Sequence, residues 1–306
     1  MDRRVSTLVL SALLSGGALA LFSPAQAQGA VPTSGRPETS PVASRGLSPN
    51  PAGPESDPLT GPRSRLPRDW VGMRTLPTAT PILVMAGHAD SQNIAGSGTS
   101  GAAVAAGAAP MYAGISDELY WNMVIAQAVV AEGQRRGLRI QYYRPPFRTI
   151  HDQNEPGTNW SVGQQHVADG GYAMEIHFDA WGPSGVGSGL IPPIHSSFTK
   201  IDEELAREFG GYPMFFRQGL GAPRRGIALL EIGKLEGYLE AALRDPRTRP
   251  IAVQRIATRV VDSLERGLGR PASGGGLTER GALTPPPGAA GSGSQGRGLQ
   301  ASSGGE

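Results

Sequence analysis

A short apolar run, Ile82 to Met85, is the feature of this sequence that most restricts its fold. Four consecutive apolar residues are typical of a strand buried on both faces, as in a parallel sheet covered by helices. Ala86 and Gly87 follow and allow a sharp turn, which places His88 at the carboxyl end of the strand. Ligands of open α/β sheets bind at that end, so His88 is a candidate for chemistry, although a loop histidine alone is more often a half-exposed surface residue.

Helical and strand patterns alternate along the chain after this first strand. The patterns predict strands over 138–143, 173–178 and 227–232, and helices over 117–136, 161–169, 200–209 and 251–268. Alternation of this kind predicts an α/β fold with a largely parallel, twisted sheet covered on both faces.

The two ends of the chain differ in composition from the middle. Residues 1–27 have a basic start, an apolar stretch and an Ala-Gln-Ala cleavage site, which predicts a secretory signal peptide; a membrane anchor is the alternative. Residues 28–76 and 270–306 are rich in Pro, Gly and Ser, which predicts a disordered tether and a disordered tail around a single catalytic domain at 77–269. No later segment is apolar enough to predict a membrane span.

Composition limits the partners and the metal ligands. The formal charge is +2 and falls to +1 without Asp2, Arg3 and Arg4, a balance that argues against nucleic acid as the partner. The chain has no cysteine, so a transition-metal site in an exported protein of this sequence would use histidines and carboxylates. Five histidines are available.

A stretch rich in Gly, Ala and Ser follows the first strand, from Ser91 to Gly114. It contains a G-x-G-x-x-G match at Gly96 to Gly101, but the match lies well past the strand and opens no clear helix, which argues against a dinucleotide site. The stretch is interpreted as a long active-site loop or a disordered loop.

Four residues stand at ends of predicted elements: His88, Glu118, His177 and Glu231. Two imidazoles and one carboxylate are a ligand set of catalytic zinc, and a further glutamate beside the metal can serve as general base and acid. Histidine and glutamate at strand ends are also ordinary supporting or surface residues, so the set alone leaves both interpretations open.

The motifs around these residues resemble a known family. Ala86-Gly87-His88, Glu118 at a helix start, Glu175 to Asp179 and Leu229 to Gly233 are similar to the zinc-dependent N-acetylmuramoyl-L-alanine amidases, in the catalytic domain called amidase 3. The resemblance implies a three-layer αβα fold, Zn²⁺ held by His88, Glu118 and His177, and Glu231 as general acid/base. It implies peptidoglycan as the substrate, cleaved between N-acetylmuramic acid and L-alanine of the stem peptide, and a location in the periplasm or cell envelope.

The chain departs from the family's usual pattern in three respects that leave alternatives open. Gly-His-Ala-Asp replaces Gly-His-Gly-Gly, and the gap from His88 to Glu118 is long, so Asp90 or Asp117 could be the oxygen ligand instead. Asp179 replaces an asparagine and could orient His177, contact substrate, or be a solvated acid. Two rival functions remain: a peptidoglycan-binding protein without turnover, and a zinc hydrolase of another peptide or acylated amine.

The remaining histidines and three aromatic residues have weaker signals. His151, His166 and His195 are interpreted as solvated or packing residues. Trp160, Trp181 and Tyr112 lie in predicted loops near strand ends; core packing is the default interpretation, and stacking on sugar or peptide is the alternative.

Overall fold

A computed structural model describes residues 56–65, 69–194 and 197–271 of this chain. The predicted signal peptide, the predicted tether up to residue 55, His195 and the predicted tail from residue 272 lie outside the described residues.

The described strands form one central sheet and two small pairs. The central sheet has five strands in the order β5-β4-β6-β9-β7, of which β5, β4, β6 and β9 are mutually parallel and β7 is antiparallel to β9. The strands are β1 (Ser56–Asp57), β2 (Gly61–Pro62), β3 (Gly72–Arg74), β4 (Ile82–Ala86), β5 (Ile140–Tyr143), β6 (Tyr172–Asp179), β7 (Gly189–Ile191), β8 (Phe198–Thr199) and β9 (Ala228–Lys234).

Helices cover both faces of this sheet. They are α1 (Ala102–Ala105), α2 (Asp117–Arg135), α3 (Asn159–Ala168), α4 (Lys200–Phe209), α5 (Gly221–Arg224), α6 (Gly237–Arg244) and α7 (Arg249–Gly267). α7 contacts both α2 and α4 on one face, and α3 and α5 contact the other. The predicted three-layer αβα fold with a mainly parallel sheet is therefore confirmed. No helix among the described residues is long and apolar enough to cross a membrane.

Strand β4 shows why its sequence is apolar throughout. Ile82 and Val84 belong to the large core cluster beneath α2 and α7, whereas Leu83 and Met85 belong to the cluster beneath α3. Successive side chains of a strand point to opposite faces, so a strand between two helical layers needs apolar residues at every position. All five β4 residues are buried.

The folded region begins before residue 77, the predicted domain boundary. The prediction of a disordered tether is therefore wrong for the described residues before that boundary, 56–65 and 69–76. Trp70 is buried, its indole N–H donates to the backbone carbonyl of Tyr212 at 2.9 Å, and its ring meets Phe198 edge-on. Leu59 and Leu76 are also buried. These anchors are single apolar residues separated by Pro and Gly, so they produce no periodic pattern that a sequence reading detects.

The end of the segment from Ser56 to Ser64 pairs with backbone next to strand β7. Arg63 pairs with Ser188 and Ser64 with Gly210 through isolated bridges, and the Ser64 backbone N–H donates to the Ser188 carbonyl at 2.7 Å. Arg270, placed at the start of the predicted tail, still donates to the backbone carbonyl of Arg136 at 2.8 Å.

Candidate metal centre

His88 lies in the turn directly after strand β4, as predicted. Its φ is 64°, in the left-handed region that residues other than glycine seldom adopt and that is often found at functional sites. The turn is fixed from both sides, because Asn122 donates to the Gly87 carbonyl at 3.1 Å and Asn159 to the Ala86 carbonyl at 2.8 Å. Hydrogen bonds from α2 and α3 therefore stabilise the turn in which His88 has this strained backbone conformation.

Gly87 allows the two histidines to meet. A Cβ added to Gly87 would lie 2.1 Å from His177 Nε2, a distance no side chain can tolerate. The imidazole of His177 occupies that space, and the rings of His88 and His177 stand edge to face with centroids 4.8 Å apart.

Glu118 stands in the first turn of α2, which Ser116 caps by accepting the backbone N–H of Leu119. Its Oε1 lies 3.0 Å from His88 Nε2 and 3.2 Å from His177 Nδ1, so one oxygen faces both imidazoles. Its Oε2 accepts the backbone N–H of Thr99 at 2.8 Å. Burial raises the pKa of Glu118, but the two histidines more than offset burial and hold that pKa well below its ordinary value.

The Gly-rich loop after β4 is thus a wall of this site. Thr99 holds Glu118, and Ser97 Oγ lies 2.9 Å from His88 Nδ1. The loop therefore contacts the candidate site through Ser97 and Thr99, and its role as an active-site loop stays a prediction. The serine and threonine contacts gave no sequence signal beyond their presence in a polar, Gly-rich stretch.

His177 lies on β6 with both ring nitrogens engaged. Nδ1 faces Glu118, and Nε2 lies 3.3 Å from Oε2 of Glu175, which precedes it by two residues on the same strand face. Burial lowers the pKa of His177, but hydrogen bonds to Glu118 and Glu175 raise the pKa to about 10 in the metal-free site. The sequence alone assigns Glu175 no role, although side chains two residues apart on a strand, such as Glu175 and His177, share a face.

Glu231 lies on β9, directly opposite His177 in the parallel register. Its Oε2 is buried and has no hydrogen-bond partner among the described residues. Burial raises the pKa of Glu231 to about 8; the neighbouring His177 lowers that pKa, and the carboxylates of Glu118 and Asp179 raise it further.

The two aspartates considered as alternative oxygen ligands lie outside the cluster. Asp117 accepts hydrogen bonds from the Arg244 guanidinium and from the Met111 backbone N–H. Asp90 accepts the first backbone N–H of α3, from Asn159, at 2.7 Å, and burial raises its pKa. Glu118 is the carboxylate that faces the histidines.

Asp179 is neither solvated nor in hydrogen-bond contact with His177. It is buried and accepts backbone N–H groups from Ala180, Val186 and Gly187. Its role in the structure is to close the loop between β6 and β7, which corrects both the solvated and the ring-orienting interpretations.

The weaker candidates lie apart from the cluster. His166 Nε2 lies 3.1 Å from the Pro81 carbonyl and His151 is exposed, in agreement with packing and solvated roles. Trp160 is half-buried beneath the Arg225 guanidinium. Trp181 and Tyr112 are exposed, so the core-packing interpretation is wrong for both.

The donor set fits a divalent transition metal. His88, Glu118 and His177 each offer one ligand atom, and these atoms lie within 4.8 Å of one another. Ligand atoms of a tetrahedral zinc site, bound at about 2.1 Å, lie about 3.4 Å apart, close to the two short separations around Glu118 Oε1. The second nitrogen of each ring has an oxygen acceptor, Ser97 for His88 and Glu175 for His177, as metal-bound histidines normally do.

The fold and these donors define an α/β protein with a candidate centre of two histidines and one glutamate. The chain matches no protein-family model and no curated protein sequence. It is similar to solved structures of other proteins. These include the catalytic domain of CwlV, an N-acetylmuramoyl-L-alanine amidase from Bacillus (Paenibacillus) polymyxa var. colistinus, at 18% identity over 62% of this chain and 98% of that chain, with a TM-score of 0.43.

Two further solved structures are similar to this chain. The N-acetylmuramyl-L-alanine amidase Ami1 from Mycobacterium smegmatis has 17% identity over 64% of this chain and 99% of that chain, with a TM-score of 0.43. The catalytic domain of the CD27L endolysin, which targets Clostridia Difficile, has 18% identity over 63% of this chain and 98% of that chain, with a TM-score of 0.40.

Proposed function

We propose that this chain is an exported, zinc-dependent amide hydrolase that cleaves peptidoglycan between N-acetylmuramic acid and L-alanine of the stem peptide. The observation that carries the metal-dependent part is the single oxygen of Glu118 that lies within 3.2 Å of a nitrogen of both histidines. The substrate class rests on the sequence motifs that resemble the N-acetylmuramoyl-L-alanine amidases.

Two histidines and one glutamate are a ligand set that catalytic Zn²⁺ uses. Nitrogen and oxygen donors without thiolate suit Zn²⁺, and three protein ligands leave a fourth position for water or substrate. The His88 side chain is 24% exposed, whereas the Glu118 side chain is 5% exposed, so the open side of the site is at His88. Bound there, Zn²⁺ would supply a Lewis acid that polarises a carbonyl and lowers the pKa of water.

Glu231 is the proposed general base and acid. A carboxyl group with a pKa near neutrality can take a proton from an attacking water and return it to the leaving amine nitrogen. Burial raises the pKa of Glu231 to about 8 in the metal-free site, and a cation beside it would lower that pKa toward neutrality. Because Oε2 has no partner among the residues described, this oxygen is free to hold the proton.

The proposal is tested on purified full-length protein with intact sacculi. We expect stoichiometric zinc by elemental analysis, and new free L-alanine amino termini in the digested sacculi. Glu231→Gln should keep zinc and lose at least about 100-fold in rate, since general acid–base catalysis contributes that much or more. Glu208→Gln on α4 is the control and should change neither zinc content nor rate.

Each other outcome selects a different function. Zinc without release of L-alanine amino termini would indicate a zinc hydrolase of another amide. A protein that binds sacculi but holds no zinc and releases nothing would be a binding protein only. Full activity of Glu231→Gln would remove Glu231 from the mechanism.

Export is the remaining part of the proposal. Peptidoglycan lies outside the cytoplasmic membrane, and residues 1–27 have the pattern of a cleavable signal. We expect the secreted protein to begin at Gln28, as determined by N-terminal sequencing, whereas an uncleaved amino terminus would indicate an anchor.

A further inference from the structure

A cavity of about 340 Å³ lies beside the candidate metal centre, on the β5 side. Its wall includes Ala89, the residue after His88, together with Met123 of α2 and residues 144–148, which follow β5. The cavity is within the size range of small-ligand sites. It is therefore adjacent to the metal centre and large enough for part of a bound peptide.

Two guanidinium groups line this cavity. Arg144 and Arg148 are both wall residues and both exposed, and no carboxylate lies among the lining residues. Arg148 donates from Nε to Gln92 Oε1 at 2.8 Å and from Nη2 to the Gly114 carbonyl at 3.2 Å, which fixes its direction. In the described part of the chain, Arg144 makes no ion pair with a carboxylate.

The strand order sets the position of the cavity relative to the catalytic groups. β5, β4, β6 and β9 are neighbours in that order and run parallel, so their carboxyl ends lie along one edge of the sheet. Arg144 follows β5, His88 follows β4, His177 lies two residues before the end of β6 and Glu231 is on β9. The arginines and Glu231 therefore lie on opposite sides of the two histidines.

We propose that Arg144 and Arg148 form a carboxylate-binding subsite for the peptide on the amine side of the scissile bond. This inference rests on the proposed function. The muramic acid carboxyl is consumed in the scissile amide, so free carboxylates remain on the peptide part of the substrate. Arginine binds carboxylates through two parallel N–H donors, and Phe147 and Met123 supply an apolar wall for the peptide chain.

The distances allow a carboxylate close to the scissile bond. Neighbouring strands lie about 4.8 Å apart and an extended residue spans about 3.4 Å, so a carboxylate within about three residues of the cleaved amide reaches the arginines. A carboxylate far along the peptide would pass beyond the cavity.

The experiment measures binding separately from cleavage, on the zinc-loaded full chain. Two L-alanine-initiated peptides are compared by calorimetry, one with free carboxylates near its amino end and one with the same carboxylates amidated. We expect the free peptide to bind about tenfold more tightly, and Arg144→Gln with Arg148→Gln to remove that difference. Arg139→Gln, at the opposite end of β5, is the matched control and should keep it.

Cleavage of the matching muramoyl-peptides then distinguishes the two proposals. A higher KM for the free-carboxylate substrate in the double variant, with kcat and zinc content unchanged, supports the subsite. Equal binding of the two peptides, or inorganic phosphate competing as well as the free peptide does, would overturn it. Selective binding without cleavage would instead contradict the proposed hydrolase while supporting the subsite.

Discussion

His177 and Glu231 are paired residues on adjacent parallel strands, β6 and β9. A candidate metal ligand and the candidate general base are therefore fixed relative to each other by backbone hydrogen bonds of the sheet rather than by loop conformation. Sites on regular elements hold their geometry more closely than sites on loops. His88, in contrast, lies in a turn, and the Gly-rich loop contacts both His88 and Glu118.

The carboxylate of Glu175 should strengthen metal binding through His177. Glu175 accepts from the Nε2 side of the ring and so favours a metal at Nδ1. We expect Glu175→Gln to weaken zinc binding about tenfold and Glu175→Leu to weaken it toward about 100-fold, in a chelator competition. Glu204→Gln, on the surface of α4, should leave affinity unchanged; an unchanged affinity in Glu175→Leu would show that the contact has no influence on the metal.

Gly87 should tolerate a side chain only when the His177 ring is absent. We expect Gly87→Ala to cost about 1–3 kcal/mol in the free energy of unfolding of the metal-free protein, because its Cβ would overlap the imidazole. In the His177→Ala background the same substitution should cost much less, since the space is empty. Equal costs in both backgrounds, measured by urea unfolding, would contradict this explanation.

Zinc binding should release about one proton at neutral pH. The pKa of His177 is raised to about 10 in the metal-free site, so its ring is protonated at pH 7 and must lose that proton to bind metal at Nδ1. Affinity should then rise about tenfold per pH unit between pH 7 and 9. Calorimetry in two buffers of different ionisation enthalpy counts the protons, and His166→Asn is the control.

The same shift in pKa sets a pH dependence of stability in the metal-free protein. The folded-state pKa of His177 lies above its unfolded value, so its contribution is complete below about pH 6.5 and is lost as the pH rises through 10. Metal-free His177→Asn should lack this loss between pH 7 and 10 in thermal unfolding.

Glu132 should stabilise the fold in a manner that disappears in acid. Its carboxylate accepts hydrogen bonds from Arg136 at 2.6 Å and from Arg135. The hydrogen bonds from Arg135 lower the pKa of Glu132, burial raises it, and Arg136 lowers it further, so that the pKa is about 2. We expect Glu132→Gln to lower the free energy of unfolding by about 1–3 kcal/mol at pH 7. The depressed folded pKa means that this difference is present above about pH 4.5 and shrinks as the pH falls toward 2.

A surface glutamate is the control for that prediction. Glu204 pairs with Arg207, whose side chain is 58% exposed, so Glu204→Gln should change stability by less than about 1 kcal/mol. A difference at Glu132 that stays constant down to pH 2 would contradict the ion-pair explanation.

Trp70 should be a core residue although it precedes the predicted domain boundary. We expect Trp70→Ala to lower the free energy of unfolding by about 3–5 kcal/mol, as for other large buried aromatic residues. Met73→Ala, in the same segment but 74% exposed, should change it by less than about 0.5 kcal/mol. Similar effects for both would place the segment outside the core.

The sequence predicted those parts of the fold whose pattern is local. Periodicity predicts strand β4 from its apolar run and helix α7 from the regular spacing of its apolar residues, Ala252, Ile256, Val260 and Leu264. The sequence also predicts α2, β6 and β9, the other elements that carry candidate site residues. Strand β7 was missed because it has three residues after a Gly-rich turn, and its pairing with β9 is a long-range property.

The candidate site was predictable in its residue types but not in its contacts. Their places at the ends of predicted elements and the motif resemblance together identify His88, Glu118, His177 and Glu231 as candidates. The register that pairs His177 with Glu231 depends on two distant strands, and neither strand alone specifies it. The arginine-lined cavity follows from the turn after Pro145, whose direction no local pattern encodes.

The segment that pairs with backbone next to β7 has a consequence for how this chain behaves in concentrated solution. Strand edges present unpaired backbone groups to other chains, and residues 63 and 64 pair with backbone beside that edge, through bridges to Ser188, which precedes β7, and to Gly210. A shortened version beginning at Pro77 would expose those backbone groups and also remove Trp70 from its pocket. Such a truncation should self-associate and precipitate, so the Pro-rich stretch before the first long strand helps to keep the protein soluble.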